Sequence, residues 1–325
     1  MKKPIPPARY SQIRPPNENY TYFEDKDHYP FVPQTDAFEP VNAGWLSDFA
    51  LVAYGNENFI SDKFQRSGLT AAGFQFKFFS GDTTQCFVAH NDQLVVLAFR
   101  GTEIDNFVGA FEDWMGNFDF TQVDDESGGR VHRGFRKALA EVWTDQNSGK
   151  GLKTYLGEML ANSARSLWIT GHSLGAALAT LAAERCVRDG GFTVSGVYTF
   201  GSPRVGDGRF KQEYDARGLG SRTYRFVNNV DVCPRIPPGD DYTHVGQLKF
   251  IVPDGTLRED LTNNPHTGAP LPVPTRAQQR SVRVFSLLGT RIGSLLEKIM
   301  TPTIPAPFAN HAPIYYASHL WNNLY

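Results

Sequence analysis

Residues 167–178 read Leu-Trp-Ile-Thr-Gly-His-Ser-Leu-Gly-Ala-Ala-Leu. An apolar run of strand character meets Gly171-His172-Ser173-Leu174-Gly175, and an Ala-rich stretch of helix character follows. In a G-x-S-x-G pattern flanked this way, the serine occupies a sharp strand-to-helix turn that lifts its hydroxyl off the edge of a sheet. Glycines two places before and two places after Ser173 leave room where a Cβ would clash with the neighbouring chain. Leu174, at the helix start, aims its N–H at the place where an oxyanion would form. The same pattern also arises by chance in Gly-rich loops. The strand before it and the small-residue helix after it separate this instance from those.

The flanking chain repeats the same alternation. Residues 85–89 and 94–99 read as a hairpin whose second strand, Leu-Val-Val-Leu-Ala-Phe, is apolar on both faces, as central strands of a mostly parallel sheet are. Further short strands are expected at 167–170, 194–200, 223–227 and 248–252. Helices are expected over 45–59, 134–143, 152–160, 176–187 and 314–324. Strands alternating with helices imply βαβ units and a doubly wound α/β sheet with helices on both faces. Residues 1–40, rich in Pro, Tyr, Asp and Asn, read as an extended arm wrapping the domain. At 325 residues and 41% apolar, the whole chain suits one large α/β domain with decorations.

With a net charge of -2, nothing argues for nucleic acid or for strong attraction to an anionic membrane, and no nucleic-acid partner is expected. No stretch has the roughly 18 apolar residues of a spanning helix. Two lysines near the N-terminus are not followed by the apolar region of a secretory signal, so the expectation is a cytoplasmic protein or one exported without a visible signal. Three cysteines (Cys86, Cys186, Cys233) do not make a disulfide framework and have no metal-site spacing. Two acidic clusters, at 124–126 and 240–241, lack spaced ligands and read as solvated loop charges. No metal or cofactor is expected.

A serine needs a base, and the base needs an orienting carboxylate. On this kind of sheet the chain order is serine, acid, histidine. Asp231 follows the strand at 223–227 and opens a Pro-rich loop, which makes it the candidate acid. Asp207 also follows a strand, nearer Ser173, and is the alternative. Of eight histidines, His28, His90 and His132 precede the serine. His172 sits inside the turn and reads as pointing elsewhere, His244 as a supporting residue, and His266 falls in a Pro-rich stretch. His311, before the last helix, is the candidate base, with His319, inside that helix, as its alternative. Gly101-Thr102 after the strand at 94–99 offers the second oxyanion donor, Thr102, beside Leu174.

Five stretches in order now resemble the class 3 lipases, the fungal-lipase-like α/β-hydrolases. They are Phe99-Arg-Gly-Thr102, Val131-His-Arg-Gly-Phe135, Ile169-Thr-Gly-His-Ser-Leu-Gly175, Tyr198-Thr-Phe-Gly-Ser-Pro-Arg-Val-Gly206, and Val230-Asp-Val-Cys-Pro-Arg-Ile-Pro-Pro238 with Tyr242-Thr-His-Val-Gly246. The resemblance runs from about the first helix to residue 252 and resumes at His311. It implies a Ser173–Asp231–His311 triad with Thr102 and the Leu174 N–H as oxyanion donors. It implies hydrolysis of acyl glycerols or similar apolar esters at a lipid–water interface. Phospholipase A1, feruloyl-type esterase and acyltransferase chemistry are alternatives, and a catalytically inactive lipid-binding scaffold is the non-enzyme alternative. The family's histidine often follows an aspartate, whereas His311 follows Asn310.

Ile104, Phe107, Val108 and Phe111 fall at i, i+3, i+4 and i+7 and resemble the family's lid, over 103–112. A fixed amphipathic helix is the plainer alternative. The insert at 253–310 is longer than in compact fungal members. It carries an apolar stripe over 281–300, read as a surface-packed helix or a second cap over the substrate entrance.

Overall fold

The computed structural model describes residues 2–102, 119–145, 149–237, 239–259 and 304–325. Its first three strands are β1 (Gln75–Ser80), β2 (Gln85–His90) and β3 (Leu94–Phe99). Then come β6 (Ser166–His172), β7 (Val194–Phe200), β8 (Thr223–Asn228), β9 (Gln247–Ile251) and β10 (Leu257–Glu259). These eight form one sheet in the order β1-β2-β3-β6-β7-β8-β9-β10. From β3 to β9 neighbouring strands run parallel, and the two edges turn back antiparallel. A separate ribbon pairs β4 (Gln122–Asp124) with β5 (Arg130–His132).

The helices are α1 (Tyr10–Ile13), α2 (Pro40–Val52), α3 (Glu57–Arg66), α4 (Arg133–Trp143) and α5 (Leu152–Leu160). They continue with α6 (Leu174–Arg188), α7 (Gly208–Ala216), α8 (Ala306–Ala309) and α9 (Pro313–Asn322). A parallel sheet must be covered on both faces. Along β3, Leu94, Val96 and Ala98 enter a core shared with α2, α9 and the N-terminal arm. Val95, Leu97 and Phe99 enter a second core with α4, α5 and α6. Successive side chains serve opposite cores, so the strand is apolar throughout.

The expected single helix over 45–59 is two. Helix α2 starts at Pro40 and stops at Val52, where the Gly55 N–H bonds the Val52 carbonyl at 2.9 Å. Asn56 then caps α3 by accepting the Phe59 N–H at 2.9 Å. Every residue of α2 from Asn42 to Val52 is buried. It therefore has no polar stripe to mark its bounds. Strand β1 escapes sequence reading for the opposite reason: only Phe79 along it is buried.

The arm over 1–40 is more than an extended wrap. It contains α1 and sends Ile13, Tyr22 and Phe23 into the core. Asp48 on α2 anchors it, accepting from the Tyr20 hydroxyl at 2.8 Å and the Phe23 N–H at 2.6 Å. The arm also clasps the C-terminal helix. The Asn322 side chain bonds the Lys3 N–H at 2.5 Å and the Lys3 carbonyl at 2.9 Å. The Tyr315 hydroxyl donates to the Pro6 carbonyl at 2.9 Å, and the Ile304 N–H to the Ala8 carbonyl at 2.8 Å.

The expected lid over 103–112, with Ile104, Phe107, Val108 and Phe111, lies outside the described residues, as does the stripe at 281–300. Of the insert over 253–310, only 253–259 and 304–310 are described.

Candidate active site

Strand β6 lies between β3 and β7 and ends at His172. Ser173 follows at φ 58 and ψ -126, a conformation that residues with a Cβ seldom adopt. Its N–H donates to the Phe200 carbonyl of β7 at 3.0 Å, and α6 begins at the next residue. A Cβ on Gly171 would lie 2.3 Å from the Gly175 carbonyl oxygen, and one on Gly175 would lie 2.3 Å from the Phe99 carbonyl oxygen. These two approaches require glycine on both sides of the serine.

The fold brings Ser173, His311 and Asp231 into one line. His311 Nε2 lies 2.9 Å from Ser173 Oγ, and His311 Nδ1 lies 3.0 Å from Asp231 Oδ2. Ser173 is 5% exposed, His311 1% and Asp231 0%. Asp231 follows β8 through a turn in which its N–H bonds the Asn228 carbonyl at 2.9 Å. Its Oδ1 accepts the Cys233 N–H at 2.9 Å, and its Oδ2 also accepts the Tyr316 hydroxyl at 2.5 Å. His311 sits between α8 and α9. Its loop is tied to the acid's strand by Asn228 Nδ2, which donates to the Asn310 carbonyl at 3.0 Å.

The alternatives lie elsewhere. Asp207 caps α7 by accepting the Phe210 N–H at 2.8 Å, and pairs with Arg130 at 3.3 Å. His319 stays within α9, where its ring packs on Gly255. His244 Nε2 donates to the Pro234 carbonyl at 2.8 Å and so supports the acid's loop.

Leu174 opens α6, so its N–H belongs to the first turn, where helix amides have no intrahelical acceptor. Thr102 follows β3, the strand beside β6. Its Oγ1 is buried without a hydrogen-bond partner among the described residues. A buried hydroxyl in that condition is an available donor beside the serine turn.

The structure corrects one placement. His172 does not point away from the site: its Nε2 lies 2.6 Å from the His311 carbonyl oxygen and its Nδ1 2.7 Å from the Tyr54 hydroxyl. Burial, and then the neighbouring His311, push its imidazole well below the usual histidine range. Tyr316 was also missed, since nothing in its spacing marks it. So was Arg204, although it stands in a quoted motif. Its guanidinium donates to the Arg235 and Pro237 carbonyls at 2.8 and 2.6 Å and clamps the loop after Asp231. Burial, and then Asp231, push the Cys233 thiol up, opposed by its contact with Ser173. All three cysteines are free and buried.

A mostly parallel sheet with Ser173 on a sharp strand-to-helix turn, Asp231 after a later strand and His311 before the last helix has the arrangement of the α/β-hydrolase fold. Residues 96–240 match the family model for lipase (class 3). Through that region the chain is similar to the class 3 lipases. It is 36% identical over 182 residues to phospholipase A1-II 6 of Oryza sativa subsp. japonica, covering 47% of this chain and 42% of that protein. It is 38% identical over 154 residues to secreted mono- and diacylglycerol lipase 1 of Fusarium solani, covering 46% and 43%. The aligned parts thus span less than half of each relative. The crystal structure of a lipase from Rhizopus microsporus var. chinensis superposes with a TM-score of 0.55 at 24% identity, covering 69% of this chain and 80% of that one.

Proposed function

We propose that this protein is a serine carboxylic ester hydrolase of lipase type, acting on acyl glycerols or similar apolar esters. One observation carries the reading: the buried hydrogen-bonded line from Ser173 Oγ through His311 to Asp231. Asp231 accepts at both carboxyl oxygens, so His311 Nδ1 donates to it and Nε2 keeps its lone pair for the serine proton. Ser173 Oγ attacks the ester carbonyl as Nε2 takes the proton. The oxyanion is held by the Leu174 N–H and by Thr102. His311 then protonates the departing alkoxide, and water cleaves the acyl-enzyme by the same route.

Lipid ester substrates fit the names carried by relatives in the family. Among the described residues no helix is long and apolar enough to cross a membrane. A fluorophosphonate probe tests the reading directly. The expected result is one covalent adduct on Ser173, and no adduct on the folded protein would overturn it. A panel of p-nitrophenyl esters of rising chain length, with phosphatidylcholine alongside, then separates the substrate classes. Hydrolysis confined to phosphatidylcholine at its sn-1 ester would make the protein a phospholipase A1 instead.

A further inference from the structure

The geometry points to Tyr54 and His172 as a positioning bridge that locks the backbone of His311 to the oxyanion-donor loop. This rests on the hydrolase reading above. His172 lies directly before Ser173, yet its ring contacts neither the nucleophile nor the acid through a hydrogen bond. Its Nε2 lies 2.6 Å from the His311 carbonyl oxygen, which can only accept, so Nε2 carries the proton. A neutral imidazole then leaves Nδ1 as an acceptor, and the Tyr54 hydroxyl, 2.7 Å away, donates to it. The direction of both bonds follows from one carbonyl.

The far end of the bridge meets the other half of the site. Tyr54 lies just beyond α2, and its hydroxyl presses on Gly101, directly before Thr102. A Cβ on Gly101 would lie 2.0 Å from that hydroxyl and 2.7 Å from the His172 carbonyl oxygen. The His172 and His311 rings pack against each other in a tilted arrangement, with centroids 4.5 Å apart at 36°. Both bridge residues are buried, Tyr54 at 3% and His172 at 2% exposed. Acylation needs His311 Nε2 and the oxyanion donors in register with Ser173 to within a fraction of an ångström. A tyrosine and a histidine joining the two loops supply that register without touching substrate.

A double-mutant cycle tests the bridge. Tyr54→Phe removes only the donor. His172→Leu removes both bonds. His172→Gln keeps an N–H for the carbonyl and an oxygen for Tyr54. The expected result is kcat and the rate of Ser173 phosphonylation each lowered about tenfold in Tyr54→Phe and in His172→Leu, with KM nearly unchanged. Recovery in His172→Gln to within about threefold of wild type is expected, and no further loss when Tyr54→Phe is added to His172→Leu. All rates are compared below each variant's melting transition, so that a loss of stability alone does not register. Fully additive losses, or wild-type rates in all folded variants, would overturn the bridge. An unlabelled wild-type protein would instead overturn the hydrolase reading.

Discussion

The Tyr316 hydroxyl donates to Asp231 Oδ2 at 2.5 Å and accepts the Asn228 N–H at 3.0 Å. One side chain from α9 thus pins both the end of β8 and the carboxylate that follows it. The Oδ2 atom it holds is the one facing His311 Nδ1. Tyr316→Phe keeps the ring but removes the donor and leaves the buried Asn228 N–H without its acceptor. We expect a loss of about 1–3 kcal/mol of stability. We also expect kcat about tenfold lower with KM little changed, since one orienting hydrogen bond is lost. Denaturant titration and steady-state kinetics check the two parts, and an unchanged kcat would reduce Tyr316 to packing.

The assignment of the acid separates two aspartates. Asp231→Asn should lower kcat by roughly 10⁴ by favouring the wrong His311 tautomer. Asp207→Asn should leave kcat within about twofold, because that residue caps α7 and asparagine caps about as well. The reverse ranking would exchange their roles. Ser173→Ala should abolish both turnover and phosphonate labelling while circular dichroism stays native.

Acid should weaken the fold through His132. Burial pushes this imidazole down from 6.5 to about 4, and its Nδ1 accepts the Phe135 N–H at 3.3 Å to cap α4. It can accept that bond only while neutral. An unfolded histidine titrates near ~6.5. Between the two values the unfolded chain binds a proton that the folded chain excludes, so this site's contribution to stability falls as pH drops through that window. His132→Asn keeps a capping acceptor and does not titrate. Its melting temperature relative to wild type should therefore rise as pH falls from about 7 to about 4.5. Parallel melting curves would show that His132 does not titrate there.

The N-terminal arm should influence the base from a distance. Lys3, Pro6 and Ala8 bond Asn322, Tyr315 and Ile304 on either side of His311. Removing residues 2–9 should preserve the central sheet, speed amide exchange in α9, and lower the rate of Ser173 labelling. Labelling at the wild-type rate with unchanged exchange in α9 would confine the arm to surface packing.

Much of the site was legible in the sequence because the constraints that shape it are local. A serine at positive φ flanked by two close backbone approaches demands the Gly-x-Ser-x-Gly spelling. Strands buried on two faces demand runs such as Leu94–Phe99. The chain order of serine, aspartate and histidine follows from how the chain winds through such a sheet, so Ser173, Asp231 and His311 are the expected partners, and the structure brings them within hydrogen-bond reach. Helix α2 could not be bounded, because burial on all sides erases the periodicity that marks a helix end. The supporting residues were hidden for a different reason. Tyr54 and His172 are 118 residues apart, His172 and the His311 carbonyl 139, and Asp231 and Tyr316 85. None of those pairs leaves a spacing or a pattern in the chain. A tyrosine that holds a catalytic loop has the same local sequence as one that fills a core, and only the packing of α2, α6 and α9 around the end of the sheet decides which it is.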